Sequence, residues 1–183
     1  KGASKGEGLG NKFLGNIREC DAIIHVIRCF DDDNVVREGG APVDPAADKD
    51  TIDTELQLKD LETIEGQLAK QEKIAASGNK EAKVLVDVLK AYKEVLDKGQ
   101  NARSVTFDTK EEQKAAHDLF LLTTKPVLYV CNVDEKSAKS GNAYSKIIEN
   151  IAAGEGAEAM VIAAKTEEDI ASLDSYDDKK LFL

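Results

Sequence analysis

One apolar run, Val127-Leu128-Tyr129-Val130-Cys131, has the composition of a buried β-strand and is followed directly by the polar turn Asn132-Val133-Asp134-Glu135. A second run, Ala22-Ile23-Ile24-His25-Val26-Ile27, is almost continuously apolar, which predicts a strand covered on both faces. A helix predicted over 142–153 separates the first run from a further strand predicted over 159–162. Strands that alternate with helices favour right-handed crossovers and a parallel sheet. We therefore expect an α/β fold.

Between the first two strands lies a charged segment whose apolar residues recur at helical spacing. Two stripes are visible, one in each of two predicted helices: Leu58, Leu61, Ile64 and Leu68, then Leu85, Val88, Tyr92 and Val95. Ser77-Gly78-Asn79 interrupts the pattern, and Gly78 suits a helix end that needs a positive φ. This pattern predicts an α-helical coiled-coil hairpin inserted into the α/β domain.

The flanking segments complete the predicted organisation. Helices are predicted over 11–20, 109–122 and 167–173, and the Asp-, Gly- and Pro-rich residues 31–50 are predicted to be a long surface loop. We expect one part of the α/β domain over 1–50, the helical insertion over 51–122, and the remainder of the α/β domain over 123–183.

Composition and charge exclude several classes of protein. The 183 residues hold 25 Lys and Arg against 35 Asp and Glu, a net charge of −10 that disfavours general nucleic-acid binding. No apolar stretch approaches the roughly 18 residues that span a membrane. Three widely spaced cysteines favour a reducing cytoplasm over a disulfide framework. Cys20, His25 and Cys29 match no standard zinc spacing, so we expect no metal site.

Two short motifs follow predicted strands, where ligands of parallel sheets collect. The first motif is Asn132-Val133-Asp134-Glu135, which stands where GTPases carry Asn-Lys-x-Asp. Glu135 replaces the final Asp, so its carboxylate lies one methylene further out and no longer fits guanine. An Asn amide still suits the amino group and N7 of adenine. Ala163-Ala164-Lys165 corresponds to a small-residue loop that lets backbone N–H groups reach a base. The alternative interpretation is a polar turn after a strand for the first motif and an ordinary strand-to-helix turn for the second.

Taken in order along the chain, these segments resemble one family, the Obg-like ATPases or YchF family. Its characteristic segments are similar to the following stretches of this sequence: 1–11, 18–23, 25–30, 43–45, 50–56, 125–129 and 132–135. The last of these corresponds to the altered base-recognition motif Asn-x-x-Glu. Each stretch alone is short, but the ordered combination covers essentially the whole chain.

The resemblance implies a P-loop NTPase-type sheet interrupted by the hairpin, in a cytoplasmic ATPase that prefers ATP to GTP, uses Mg²⁺ and associates with ribosomes. By the same resemblance, Asn132, Val133 and Glu135 would flank the adenine on one side. Ala163, Ala164 and Lys165 would line the other. No membrane and no general DNA binding are expected. The alternative is a nucleotide-switched binding module whose hairpin engages a ribosomal or protein partner with little catalysis.

The motifs themselves do not assign a catalytic residue. The family's P-loop and magnesium ligands would precede Lys1 and a TGS domain would follow Leu183, so we expect these 183 residues alone to bind ATP poorly and not to hydrolyse it. Some members carry His after Asp-Asn-[Ile/Val]-[Ile/Val], whereas here Arg37 follows Asp33-Asn34-Val35-Val36. Arg37 is therefore a candidate for stabilising phosphate charge, with a solvated loop arginine as the alternative. The glycine-rich residues 2–10 are either a switch segment or a plain terminus.

Overall fold

The protein was analysed as a computed structural model, which describes residues 8–32 and 42–180. Two compact units are present. The described residues 8–23 and 50–126 form the first unit, and residues 24–32, 42–49 and 127–180 form the second. In chain order the elements are α1 Gly8–Arg18, β1 Ile23–Arg28, α2 Pro45–Ala76, α3 Lys80–Asp97, α4 Lys110–His117, β2 Val127–Asn132, α5 Ala143–Glu155, β3 Glu158–Ile162, α6 Ala164–Ala171 and α7 Tyr176–Lys180.

The three strands form one parallel sheet in the order β1-β2-β3. Val130 is in register with Met160 on β3. On the other side of β2, the Cys29 N–H donates to the Asn132 carbonyl at 2.7 Å, at the end of both strands. The expected α/β fold with a parallel sheet is confirmed.

The core of the second unit lies on one face of this sheet, under α5. It contains Ile27, Cys29, Tyr129, Cys131, Val133, Ile148, Ala152 and Ala163. The opposite side of β1 is open among the described residues, because Ile24 and Val26 are 67% and 62% exposed. The prediction of a strand covered on both faces is therefore wrong for this part of the chain, since the described residues supply a helical layer to one face.

A buried lysine fixes the first turn of α2 within the same unit. Lys49 is 6% exposed and forms an ion pair with Glu155 at the end of α5. The Tyr129 hydroxyl donates to the other carboxylate oxygen of Glu155 at 2.7 Å, and the Lys49 ammonium lies 6.0 Å from the centre of the Tyr129 ring. The buried charge is thus compensated by a carboxylate and an aromatic face.

The first unit is built on the hairpin of α2 and α3, as predicted. Gly78 has a φ of +92° in the turn, and the Asn79 side chain caps α3 by accepting from the Ala82 N–H at 2.9 Å. Its core contains Ile64, Val88, Leu89, Tyr92, Leu96, Ala102, Ala116, Leu119 and Leu121. Ala116 and Leu119 bring α4 and the segment after it onto the hairpin, so the base of the hairpin is a three-helix arrangement.

A buried carboxylate holds the segment that follows α4. Asp60 is fully buried and accepts hydrogen bonds from the Leu122 N–H, the Thr123 N–H and the Thr123 hydroxyl, each at 2.8 Å. An Arg18 nitrogen lies 3.8 Å from the carboxylate. Burial raises the pKa of Asp60, while the hydrogen bonds from Leu122 and Thr123 and the charge of Arg18 act in the opposite direction.

Three predicted helix boundaries are wrong, two of them for identifiable reasons. Residues 31–50 are not all loop, since α2 begins at Pro45. Pro is favoured as the first helical residue, and the Asp44 side chain caps the helix by accepting from the Ala47 N–H at 3.0 Å. The helix predicted over 109–122 ends at His117, because the next residues turn so that Asp60 can bind their amides. The last predicted helix begins at Ala164 rather than at residue 167.

None of the helices within the described ranges is long and apolar enough to cross a membrane.

Candidate functional site

The candidate site lies at the edge of the sheet where β2 and β3 end. Asn132 is the last residue of β2, and Ala163 follows the last residue of β3. The Ala164 N–H, the first amide of α6, donates to the Asn132 side-chain oxygen at 3.0 Å. This hydrogen bond joins the loop that contains residues 132–135 to the loop that contains residues 163–165, the two motifs predicted separately from the sequence.

The bond from Ala164 fixes the chemistry of the Asn132 side chain. Because a backbone N–H can only donate, the side-chain atom facing it is Oδ1. The backbone carbonyl of Asn132 is occupied as well, by the Cys29 N–H of β1 at 2.7 Å. Among the described residues, the NH₂ group of Asn132 has no acceptor. A side-chain amide held in this way presents a preoriented donor to a ligand.

Val133 and Ala163 belong to the core beneath this edge. Val133 is 4% exposed and Ala163 is 5% exposed. The Val133 N–H donates to the Ile162 carbonyl at 2.8 Å, so it is not available to a base. No N–H or hydroxyl of the described chain donates to the Val133 carbonyl, which makes this oxygen the part of Val133 that remains for a ligand.

Glu135 and Lys165 lie on the outside of the same two loops. Glu135 begins a short 3₁₀ helix, Glu135–Ser137, and Lys165 is the second residue of α6. Both are exposed. Neither forms an ion pair with any residue in the described ranges. The structure therefore brings Asn132 and Ala164 together by a hydrogen bond and Val133 and Ala163 together in one core cluster. Two charges of opposite sign, Glu135 and Lys165, follow these residues in the two loops.

Sequence analysis missed Asn142, which supports this edge of the sheet. Its side-chain NH₂ donates to the Cys29 carbonyl at the end of β1 at 2.7 Å, while its Oδ1 accepts from the Ser145 N–H at 3.0 Å. The Ser145 hydroxyl in turn accepts from the Asn142 N–H at 2.9 Å, completing a capping box for α5. Asn-x-x-Ser before an apolar helix resembles the usual capping pattern and could have revealed the cap. The bond to Cys29 has no local sequence signal.

The preceding glycine is required by geometry. Gly141 has a φ of +68°, and a Cβ atom there would lie 2.4 Å from the Ser145 hydroxyl oxygen. A second tie runs from the Tyr144 hydroxyl, which donates to Asp31 at 3.0 Å. This hydrogen bond raises the pKa of Tyr144. The segment after β1 is thereby held against α5.

The remaining candidates contribute no reactive group that the structure describes. Arg37 and the glycine-rich residues before Gly8 lie outside the described residues. Cys29 and Cys131 are buried, and the hydrogen bond between their thiols, together with burial, raises the pKa of Cys29. Within 8–32 and 42–180, no three His, Cys, Asp or Glu side chains are grouped to hold a metal ion.

Comparison with known proteins identifies relatives along the whole chain, although no family model matches it. The "Ribosome-binding ATPase YchF" of Bacillus subtilis is 48% identical over 185 residues, covering 100% of this chain and 50% of that protein. The "Obg-like ATPase 1" of Saccharomyces cerevisiae is 40% identical over 141 residues, covering 74% of this chain and 35% of that protein.

A solved structure gives the same result. The Schizosaccharomyces pombe YchF GTPase superposes with a TM-score of 0.79 at 28% identity, covering 95% of this chain and 48% of that one. The chain spans about half the length of the curated relatives it matches first. Because similarity of sequence and of fold extends along nearly all its residues, the chain belongs to the Obg-like ATPase, or YchF, family.

Proposed function

We propose that the complete protein binds and hydrolyses ATP in preference to GTP, and that it is a cytoplasmic protein that associates with ribosomes. The names of the relatives, which describe ribosome-binding ATPases, support this proposal. The observation that carries the nucleotide part is the bond from the Ala164 N–H to Asn132. It joins the two loops at the carboxyl ends of neighbouring parallel strands, where ligands of such sheets bind.

The chemistry of this edge favours adenine. The free NH₂ group of Asn132 donates to the N7 acceptor, which adenine and guanine share. The Val133 carbonyl accepts from the amino group at position 6 of adenine. Guanine carries a carbonyl oxygen at that position, so two acceptors would face each other and lose a hydrogen bond. The Val133 carbonyl is thus proposed as the group that discriminates between the two bases.

Glu135 is proposed to favour ATP because it does not bind guanine as an Asp would. In a guanine site, an Asp at this position accepts two hydrogen bonds from the base, whereas the longer Glu side chain places its carboxylate one methylene away. On the opposite side, Ala163 and Ala164 keep the loop free of bulky side chains, and the exposed Lys165 places a cation beside the bound nucleotide. Mg²⁺, when bound with the phosphates, would neutralise charge that develops during hydrolysis. Its ligands and the phosphate cradle are proposed to lie outside these residues, and Arg37 stays a candidate for phosphate contact.

Nucleotide affinity in site variants of the complete protein tests this proposal. Asn132→Ala removes one neutral hydrogen bond, worth about 0.5–1.5 kcal/mol, so ATP should bind about 2- to 10-fold more weakly in isothermal titration. Glu135→Asp should raise affinity for GTP relative to ATP. Lys139→Ala, an exposed change in the loop after Glu135, serves as the control. A wild-type protein that hydrolyses neither nucleotide, or an unchanged ATP-to-GTP ratio in Glu135→Asp, would contradict the proposal.

A second candidate function is that of a nucleotide-controlled binding module whose hairpin is the working surface. One observation favours it, because no residue between Leu68 and Leu85 contributes to the core cluster of the first unit. The end of the hairpin is therefore not required to complete that core. Deleting residues 69–84, between these two core-contacting leucines, separates the candidates, since basal ATP hydrolysis should survive the deletion if the hydrolytic site is independent of the hairpin. If the hairpin is the working surface of a binding module, the same deletion should abolish binding to the partner.

A further inference from the structure

We propose that the end of the α2–α3 hairpin is an RNA-binding surface that contacts the phosphate backbone through four lysines. The surface, called the hairpin tip below, comprises residues 70–83. This inference rests on the proposed association with ribosomes and specifies which chemical component of that partner the hairpin contacts.

The first observation is a reversal of charge. The chain carries a net charge of −10, but the hairpin tip holds four lysines, Lys70, Lys73, Lys80 and Lys83, against Glu72 and Glu81, so 4 − 2 = +2. The other 169 residues consequently carry −12. A local basic surface on an otherwise acidic protein confines phosphate contact to one place and disfavours general nucleic-acid binding.

The second observation is a difference in ion pairing along the two helices. The lysines of the hairpin outside the tip are matched by carboxylates within the chain: Lys59 by Glu62, Lys90 by Glu72, Lys93 by Glu65 and Lys98 by Glu94. The four tip lysines are exposed, and their side-chain ammonium groups form no ion pair or hydrogen bond with any described residue. Moreover, Glu72 already neutralises Lys90 at 2.8 Å, which leaves the tip more basic than its composition suggests.

The positions of these lysines do not favour helix stability. Lys80 and Lys83 lie in the first turn of α3, where the positive end of the helix dipole repels cations. The same dipole adds to the positive potential that an anion meets at this end of the helix. An arrangement that is unfavourable for the isolated helix is favourable when a phosphate is bound.

The chemistry of the tip favours RNA over an acidic protein as its occupant. Protein interfaces are rich in aromatic residues and Arg and poor in Lys, and the tip contains no aromatic residue and no Arg. Ser77 and Asn79 are already used within the hairpin, where Ser77 donates to the Ile74 carbonyl and Asn79 caps α3. The charged donors left for a ligand are therefore ammonium groups on long side chains, beside the uncharged amide groups of Gln71 and Asn79. Ammonium groups suit phosphates and carry no information about base sequence.

Binding of a fluorescent RNA stem-loop by the complete protein, measured by anisotropy at several salt concentrations, tests this inference. Four phosphate contacts predict a slope of log affinity against log salt of about −2.8 to −3.6, which is about 50- to 150-fold between about 50 and 200 mM salt. Replacing the four tip lysines by Gln should weaken binding at least about 10-fold at the lower salt concentration and flatten the slope. Replacing them by Arg should preserve both.

The matched control removes four lysines that are ion-paired away from the tip: Lys59, Lys93, Lys98 and Lys146. Both Gln variants have the same net charge of −10 − 4 = −14, and circular dichroism verifies their folding. Wild-type RNA affinity in the tip variant, or equal weakening in both variants, would overturn the inference. So would loss of ribosome co-sedimentation with unchanged RNA affinity, which would identify an acidic ribosomal protein as the partner. ATP hydrolysis, measured on the same samples, reports separately on the proposed function.

Discussion

Substitution of Asp60 by Ala is the sharpest perturbation of the helical unit. This carboxylate is fully buried and supplies the acceptor for three donors of Leu122 and Thr123, each at 2.8 Å. Leu122 is fully buried and Thr123 is 2% exposed. Water therefore cannot replace the missing acceptor without opening the segment.

The magnitude follows from the groups left without a partner. Each buried N–H that loses its acceptor costs about 1–3 kcal/mol, and two backbone N–H groups are affected, whereas the Thr123 hydroxyl can rotate toward another acceptor. Relief of the burial of the Asp60 charge offsets part of this cost. We expect a loss of about 3 kcal/mol in the free energy of unfolding, or about 6–12 °C in Tm for a chain of this size.

Urea denaturation of the 183-residue chain and hydrogen exchange of the peptide over 119–124 measure the effect globally and locally. Asp97→Ala is the control, because this carboxylate also has a hydrogen-bonded partner, Lys93, but is 51% exposed. Its loss should cost less than about 1 kcal/mol. If Asp60→Ala were as mild as Asp97→Ala, with protection of residues 119–124 unchanged, Asp60 would not anchor the segment.

Three further outcomes follow from the same structure. The loss in free energy of unfolding caused by Asp60→Ala should grow as pH falls from about 7.5 to 4.5. A carboxyl whose folded pKa is raised stabilises the protein most below its unfolded pKa of 3.8, and it loses that contribution as pH rises. A loss that shrinks on acidification would mean that the hydrogen bonds to Asp60 outweigh its burial. Asn142→Ala removes a helix cap and a bond to the end of β1, so Tm should fall by about 3–10 °C in calorimetry, and a fall under about 1 °C would argue against this role. Gly141→Ala should destabilise by about 1–3 kcal/mol because of its φ and its contact, whereas Gly154→Ala, in open space within a helix, should be neutral or stabilising; equal effects of the two in chemical denaturation would refute the strain argument.

Local pattern was sufficient where burial and backbone conformation depend on near neighbours. The hairpin was predicted from the spacing of Ile64 and Leu68 with Val88 and Tyr92, and three of these four side chains are buried, Leu68 being partly so. Gly78 was predicted to take a positive φ and does so. Strand β2 was predicted from its apolar run. In each case one short window of sequence contains the signal: a helical spacing, a glycine at a helix end or an apolar run.

Prediction was wrong where a distant residue or an overlooked cap decides the outcome. The end of α4 depends on Asp60, whose carboxylate binds amides more than 60 residues away, and no pattern near His117 indicates this. The start of α2 was missed for a different reason, since Pro45 was taken as a breaker although Asp44 beside it provides a cap. The end of α4 could be placed only with tertiary information, whereas the start of α2 could have been placed from the local Asp44-Pro45 pattern.

The candidate base site shows how both kinds of information combine. Asn132 and Ala164 could be selected from the sequence because each follows or nearly follows an apolar strand, but their hydrogen bond depends on the pairing of β2 with β3. Asn132 is in register with Ile162, and the Val133 N–H extends this pairing by one bond. A slip of one residue would turn Asn132 to the other face of the sheet and place Val133 outward. Since Val133 is buried in the core under α5, the apolar core that specifies the register also places the Asn132 amide against α6. In this protein the geometry of the polar edge is therefore set by the hydrophobic side chains beneath it.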